Sequence, residues 1–142
     1  MQIYLLFLRG EDTLNLKVLI MQPGSSYWKE FNFTCYEEVM SLIGGRLYCL
    51  HLTNDIDLWM RHPKCQEQQE ENICIVDPVE DYTKQLFGSI FMVGHGKNGG
   101  SVSLSQKQIE WIRQHTQITK EEKQLNLSEP TYLVKGAALC HR

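Results

Sequence analysis

A chain of 142 residues is the size of a single domain and can bury a core without disulfides or a metal as obligatory staples. Its 42% hydrophobic and 22% charged content excludes disorder over most of its length, and a formal charge of -3 excludes both a chain-wide basic field for nucleic acid and mimicry of DNA by charge alone. Cys35, Cys49, Cys65, Cys74 and Cys140 form an odd set with no CxxC pair, a pattern of free thiols in a reducing cytoplasm rather than a secreted disulfide framework.

The apolar run Ile3 to Leu8 lacks a basic leader, is too short to span a bilayer and meets Arg9 and Glu11 at once, so it reads as a strand. Leu14 to Met21 reads as a second, buried strand, closed by Pro23-Gly24-Ser25-Ser26. Tyr27 to Phe33 suits a half-exposed hairpin partner. Thr34-Cys35-Tyr36-Glu37 has the spacing of a capping box, and Tyr36, Val39, Met40 and Ile43 form a helical stripe ended by Gly44-Gly45. Two further strands follow, Arg46 to Leu52 and Ile56 to Met60, joined by the turn Thr53-Asn54-Asp55.

Residues 61–72 are polar, contain Pro63 and read as a mobile loop. Ile73 to Val76 is a short buried strand, Asp77 to Thr83 an acidic connection, and Phe87 to Val93 a strand running into Gly94-His95-Gly96-Lys97-Asn98-Gly99-Gly100-Ser101. Ser105 to Gln108 is a second capping box, with Leu104 and Ile109 placed for a hydrophobic staple, and it predicts a helix over 106–116. Residues 117–142 read as a C-terminal extension, with Tyr132 onward a further strand or a tail. The whole is one domain of α+β class: a mostly antiparallel sheet of about five strands packed by helices near 35–43 and 106–116.

Leu16 to Gly24, Met40 to Leu47 with Leu50 to Asp55, Phe87 to Gly94, and Ser103-Leu104-Ser105 together resemble a phage and mobile-element family, the domain-of-unknown-function family 3846. In that family a strand ends in Pro-Gly, a helix ends in Gly-Gly before a strand, and an aromatic-rich strand ending in Val-Gly precedes a capped helix. The resemblance covers about residues 16–113; Leu58-Trp59-Met60 and the polar 61–72 stand where the family carries an Asn-Glu-rich hairpin. It supplies no catalytic residue. It implies a phage or prophage context, whose small proteins often counteract host defence systems.

The glycine cluster can offer backbone N–H groups to a phosphate, with Lys97 and His95 supplying charge-assisted bonds, although it fits neither a P-loop nor a dinucleotide fingerprint. The candidate ligand residues are Arg46, Gly94, His95, Gly96, Lys97, Asn98 and Gly99, set against a plain Asn98-Gly99 turn. Trp28, Trp59 and Arg61 are the candidate interface residues, if exposed. The histidines and cysteines lack zinc-finger spacing, and Asp55 and Asp57 read as solvated turn residues, so no metal, cofactor or catalytic set is expected.

The expectation is a non-enzymatic accessory protein in the bacterial cytoplasm that inhibits a host defence protein by direct binding. The alternative is a sponge for a nucleotide-type defence signal held by the 94–101 loop, and the third reading is an enzyme acting on such a nucleotide. No nucleic-acid or membrane partner is expected, while free strand edges leave a homo-oligomer open.

Overall fold

The computed structural model describes residues 15–65, 69–77, 81–118 and 132–135. The expected strand at 3–8 lies outside them. Strands β1 (Leu16–Met21), β2 (Lys29–Phe33), β3 (Leu47–His51), β4 (Ile56–Arg61) and β7 (Ile90–His95) form an antiparallel sheet in the order β2-β1-β7-β4-β3. Strand β8 (Ser101–Val102) adds to β7. A second sheet, not anticipated from the sequence, runs β6-β5-β10-β9 through β5 (Glu71–Asp77), β6 (Tyr82–Phe87), β9 (Thr116–Ile118) and β10 (Tyr132–Lys135). The class is α+β, as the patterns predict.

Both faces of the central sheet are covered, and strand parity decides which side chain goes where. Leu19, Met21, Ile56, Leu58, Met60, Ile90 and Met92 face Ile73, Ile75, Leu86 and Leu133 of the second sheet and Ile109 and Ile112 of helix α2 (Gln106–Gln114). The opposite parity sends Leu16, Val18, Ile20, Trp59, Phe91 and Val93 against Val39 and Ile43 of helix α1 (Tyr36–Ile43). Asn72, buried at the start of β5, ties the layers by donating to the carbonyls of Met21 (3.0 Å) and Gly88 (2.7 Å).

The helix signals divide. Ser105 and Gln108 form the reciprocal capping box, and the Gln108 amide also donates to the Asp55 carbonyl at 2.8 Å, fixing the β3–β4 turn to α2. At α1 the box does not form. Cys35 is the N-cap with no side-chain bond, and Thr34 bonds Glu38 rather than Glu37, because Phe33 is still buried in β2 and the helix starts one residue later. Those bonds, the Thr34 backbone N–H first, hold the Glu38 carboxyl below its usual range. Gly44 ends the helix at φ 74, and the Arg61 guanidinium caps the Ile43 carbonyl at 3.1 Å.

Within 61–72, read from sequence as a mobile loop, Arg61 closes β4, Pro63–Cys65 makes a 3-10 turn and β5 begins at Glu71; 66–68 lie outside the described residues. The acidic connection proves shorter than expected, since β6 starts at Tyr82. Of the C-terminal extension, β9 and β10 belong to the second sheet, and 119–131 and 136–142 lie outside the described residues. Cys35, Cys49 and Cys65 carry free thiols, whereas Cys74 is disulfide-bonded, against the expectation from cysteine spacing. Among the described residues no helix is long and apolar enough to cross a membrane.

Candidate functional site

The strongest polar feature lies where β3 and β7 end and β4 begins, on the α1 face of the central sheet. In the β3–β4 hairpin His51 pairs directly with Asp57 and Cys49 with Trp59, so all four side chains share that face. His95, at the end of β7, reaches the same carboxylate diagonally: its N–H bonds the Asp55 carbonyl at 2.8 Å, two residues before Asp57, whose own register partner is Val93. The Asp57 side chain is 0% exposed and accepts at Oδ1 from His51 Nδ1 at 2.6 Å and at Oδ2 from His95 Nδ1 at 2.9 Å. The rings meet edge to face, with centroids 5.2 Å apart.

A buried carboxylate without such partners would be strongly disfavoured, so the two imidazoles are what make Asp57 tolerable there. The carboxylate in turn fixes each ring, and neither Nε2 has a hydrogen bond among the described residues. The His51 side chain is 64% exposed and that of His95 27%. Cys49 lies within the same cluster: its sulfur, a His51 ring nitrogen and an Asp57 oxygen are all within 4.8 Å of one another. Burial, and then the Asp57 charge, push its thiol up to about 12.

Two buried polar atoms on this face lack a hydrogen-bond partner among the described residues: Trp59 Nε1, opposite Cys49, and Ser101 Oγ, opposite His95. Each such group costs on the order of 1–3 kcal/mol unless something satisfies it.

The candidate residues read from sequence are only partly brought together. Gly94 and His95 end β7, and Gly96–Gly99 form a turn in which the Gly99 N–H donates to the Gly96 carbonyl at 3.0 Å, with Gly99 at φ 84. The Gly96 N–H is also taken, by the Gly100 carbonyl at 2.7 Å, so these two amides do not form a phosphate cradle. Lys97 and Asn98 are exposed at the turn's tip. Arg46 stands at the opposite end of β3, roughly 16 Å away at strand rise, beside Arg61 at the C-terminus of α1.

Trp28 and Trp59, expected to serve an interface if exposed, are instead core residues, 4% and 0% exposed. Asp57 is not the solvated turn carboxylate that its neighbour Asp55 is. Sequence reasoning missed the cluster of Cys49, His51 and Asp57. The signal was Cys49-x-His51 at strand spacing facing an aspartate across a four-residue turn.

Fold and site together define a three-layered α+β domain with a histidine-braced carboxylate at one end of its central sheet. Residues 16–117 match the domain-of-unknown-function family DUF3846, and the chain belongs to that family. No curated protein and no solved structure matches it.

Proposed function

We propose that the protein is a non-enzymatic binding protein that captures a phosphate-bearing, nucleotide-type ligand at the His95–Lys97 corner of the sheet. In the bacterial cytoplasm it would serve a phage or other mobile element by withdrawing a host-defence signal. The observation that carries the reading is that His95 is pinned through Nδ1 to the buried Asp57 carboxylate. Its Nε2 is thereby positioned beside a short closed turn whose tip presents Lys97 to solvent. The ring, already held in place, loses little freedom on meeting an anion, and the exposed ammonium can add a charge-assisted bond.

The test is calorimetry on chelator-treated protein with inorganic phosphate, a mononucleotide and a cyclic dinucleotide. Saturable binding, weakened about tenfold or more in Lys97→Ala, supports the reading, tenfold corresponding to about 1.4 kcal/mol. Flat titrations with all three anions would sink it. Intact ligand recovered after denaturation marks a sponge, whereas altered product marks an enzyme.

A second reading, inhibition of a host defence protein by direct contact, is favoured by β2. That strand has one neighbour among the described residues and borders an open groove of about 540 Å³ lined by Ile20, Phe31, Phe33, Glu38 and Leu42, with Tyr27 66% exposed at its rim. An extended segment of the partner could pair with such an edge. A complex from infected cells that is lost on Phe31→Asp and retained on Lys97→Ala would select this reading over the first.

A further inference from the structure

We propose that Cys49, His51 and Asp57 form a three-ligand site for a borderline-soft divalent cation of the zinc class, with a fourth position left open. This goes beyond the ligand reading above and does not depend on it.

The sulfur, nitrogen and oxygen donors lie within 4.8 Å of one another. Tetrahedral zinc spaces its ligand atoms roughly 3.3–3.8 Å apart, so the donors need only small adjustments. The adjustment falls on the mobile partner. His51 Nδ1 now sits 2.6 Å from Asp57 Oδ1, and admitting an ion between them requires the ring to retreat by roughly 0.7 Å at ordinary zinc–nitrogen and zinc–oxygen distances. That ring is 64% exposed, whereas Asp57 and its strand are fixed in the core.

The support of the ligands argues the same way. Asp57 presents Oδ1 to the cluster while Oδ2 is held by His95, the outer hydrogen bond that orients a metal-binding carboxylate. The donor set of thiolate, imidazole and carboxylate selects zinc-like ions over calcium or magnesium, which take oxygen alone. Trp59 Nε1, buried opposite Cys49, is a donor without an acceptor on the face where a metal-bound thiolate brings negative charge. Binding breaks the Cys49 S–H bond and releases that proton to solvent. The His51–Asp57 hydrogen bond breaks as the His51 ring proton passes through solvent from Nδ1 to Nε2, which frees the Nδ1 lone pair, and the three metal–ligand bonds form.

The test uses the full chain under reducing conditions, stripped with chelator and titrated with Co²⁺ and then Zn²⁺. One equivalent of Co²⁺ should give a thiolate-to-cobalt charge-transfer band and tetrahedral visible bands, both displaced by Zn²⁺. Cys49→Ser should abolish the charge-transfer band, and His51→Ala, at an exposed position, should weaken binding at least tenfold. Cys35→Ser and Cys65→Ser should leave both unchanged. The proposal is overturned if no equivalent is retained, if the thiolate band persists in Cys49→Ser, or if the spectrum carries no thiolate contribution. In those cases Asp57 is simply a carboxylate braced by two imidazoles. Because anion binding is measured on stripped protein, failure here and failure there are separate results.

Discussion

Asp57 Oδ1 lies 2.6 Å from His51 Nδ1, joining a fully buried carboxylate to a largely exposed imidazole, its direct register partner in the β3–β4 hairpin. The pair exists because β4 begins with Ile56-Asp57-Leu58, where parity sends Ile56 and Leu58 into the inter-sheet core and obliges Asp57 to point at the α1 face. An acid placed there must be met by donors, and the ends of β3 and β7 supply two.

Asp57→Asn keeps the shape but replaces one acceptor oxygen with an amide that donates toward an imidazole N–H. We expect a loss of about 1–3 kcal/mol in urea unfolding, and a larger loss for Asp57→Ala, which leaves both ring N–H groups unmatched. Unchanged stability in both variants would mean that the carboxylate is not held as described.

Cys49 should be the slowest of the free thiols to alkylate in chelator-treated protein. Its thiol is pushed up to about 12 from an ordinary value of 9.0. At pH 8 its thiolate fraction is therefore on the order of a thousandfold below that of a thiol at the ordinary value. The folded state thus holds this proton over a range where the unfolded chain gives it up. Its contribution to stability is intact below about pH 9 and falls as pH rises from there toward 12. Mass spectrometry of timed iodoacetamide reactions reads the order directly. Asp57→Asn should speed Cys49, because part of the shift comes from the Asp57 charge.

What the sequence discloses depends on how local the cause is. The α2 cap, the parity of β4, the existence of β1 and β7 as buried strands and the turn at Gly96–Gly99 are set by residues a few positions apart, and all are legible. The α1 cap is displaced because Thr34 is claimed by Glu38 when Phe33 stays in the sheet, a tertiary effect. The second sheet is hidden because β6 reads Tyr82-Thr83-Lys84-Gln85-Leu86-Phe87, with polar residues at its centre, and β10 reaches β5 from 56 residues away in the register pair Tyr132 and Val76. The braced carboxylate is hidden for the same reason: Asp57 and His95 are 38 residues apart, and only the β4–β7 pairing brings them together.

Asn72 should be intolerant of change. Its amide donates to two carbonyls, Met21 of β1 and Gly88 of the β6–β7 turn, in a buried position between the sheets. Asn72→Ala is expected to cost about 2–4 kcal/mol, since it strands both acceptors, and Asn72→Asp more, since a carboxylate would face two carbonyl oxygens. Denaturant midpoints measure both. Equal stability of Asp and Ala variants would contradict the donor role.

The Trp28 indole N–H donates at 2.8 Å to Thr116 Oγ1, and that hydroxyl donates at 2.6 Å to the Ile112 carbonyl in the last turns of α2. The chain leading into β2 is thus tethered to the far end of α2 by one hydroxyl. Thr116→Val keeps the volume and removes both bonds, leaving a buried indole N–H unmatched, so a loss of about 1–3 kcal/mol is expected. Thr116→Ser retains both bonds and should recover most of that loss. Urea unfolding followed by tryptophan fluorescence tests the pair. If Ser and Val variants are destabilised equally, the methyl group's packing rather than the hydroxyl holds the two elements together.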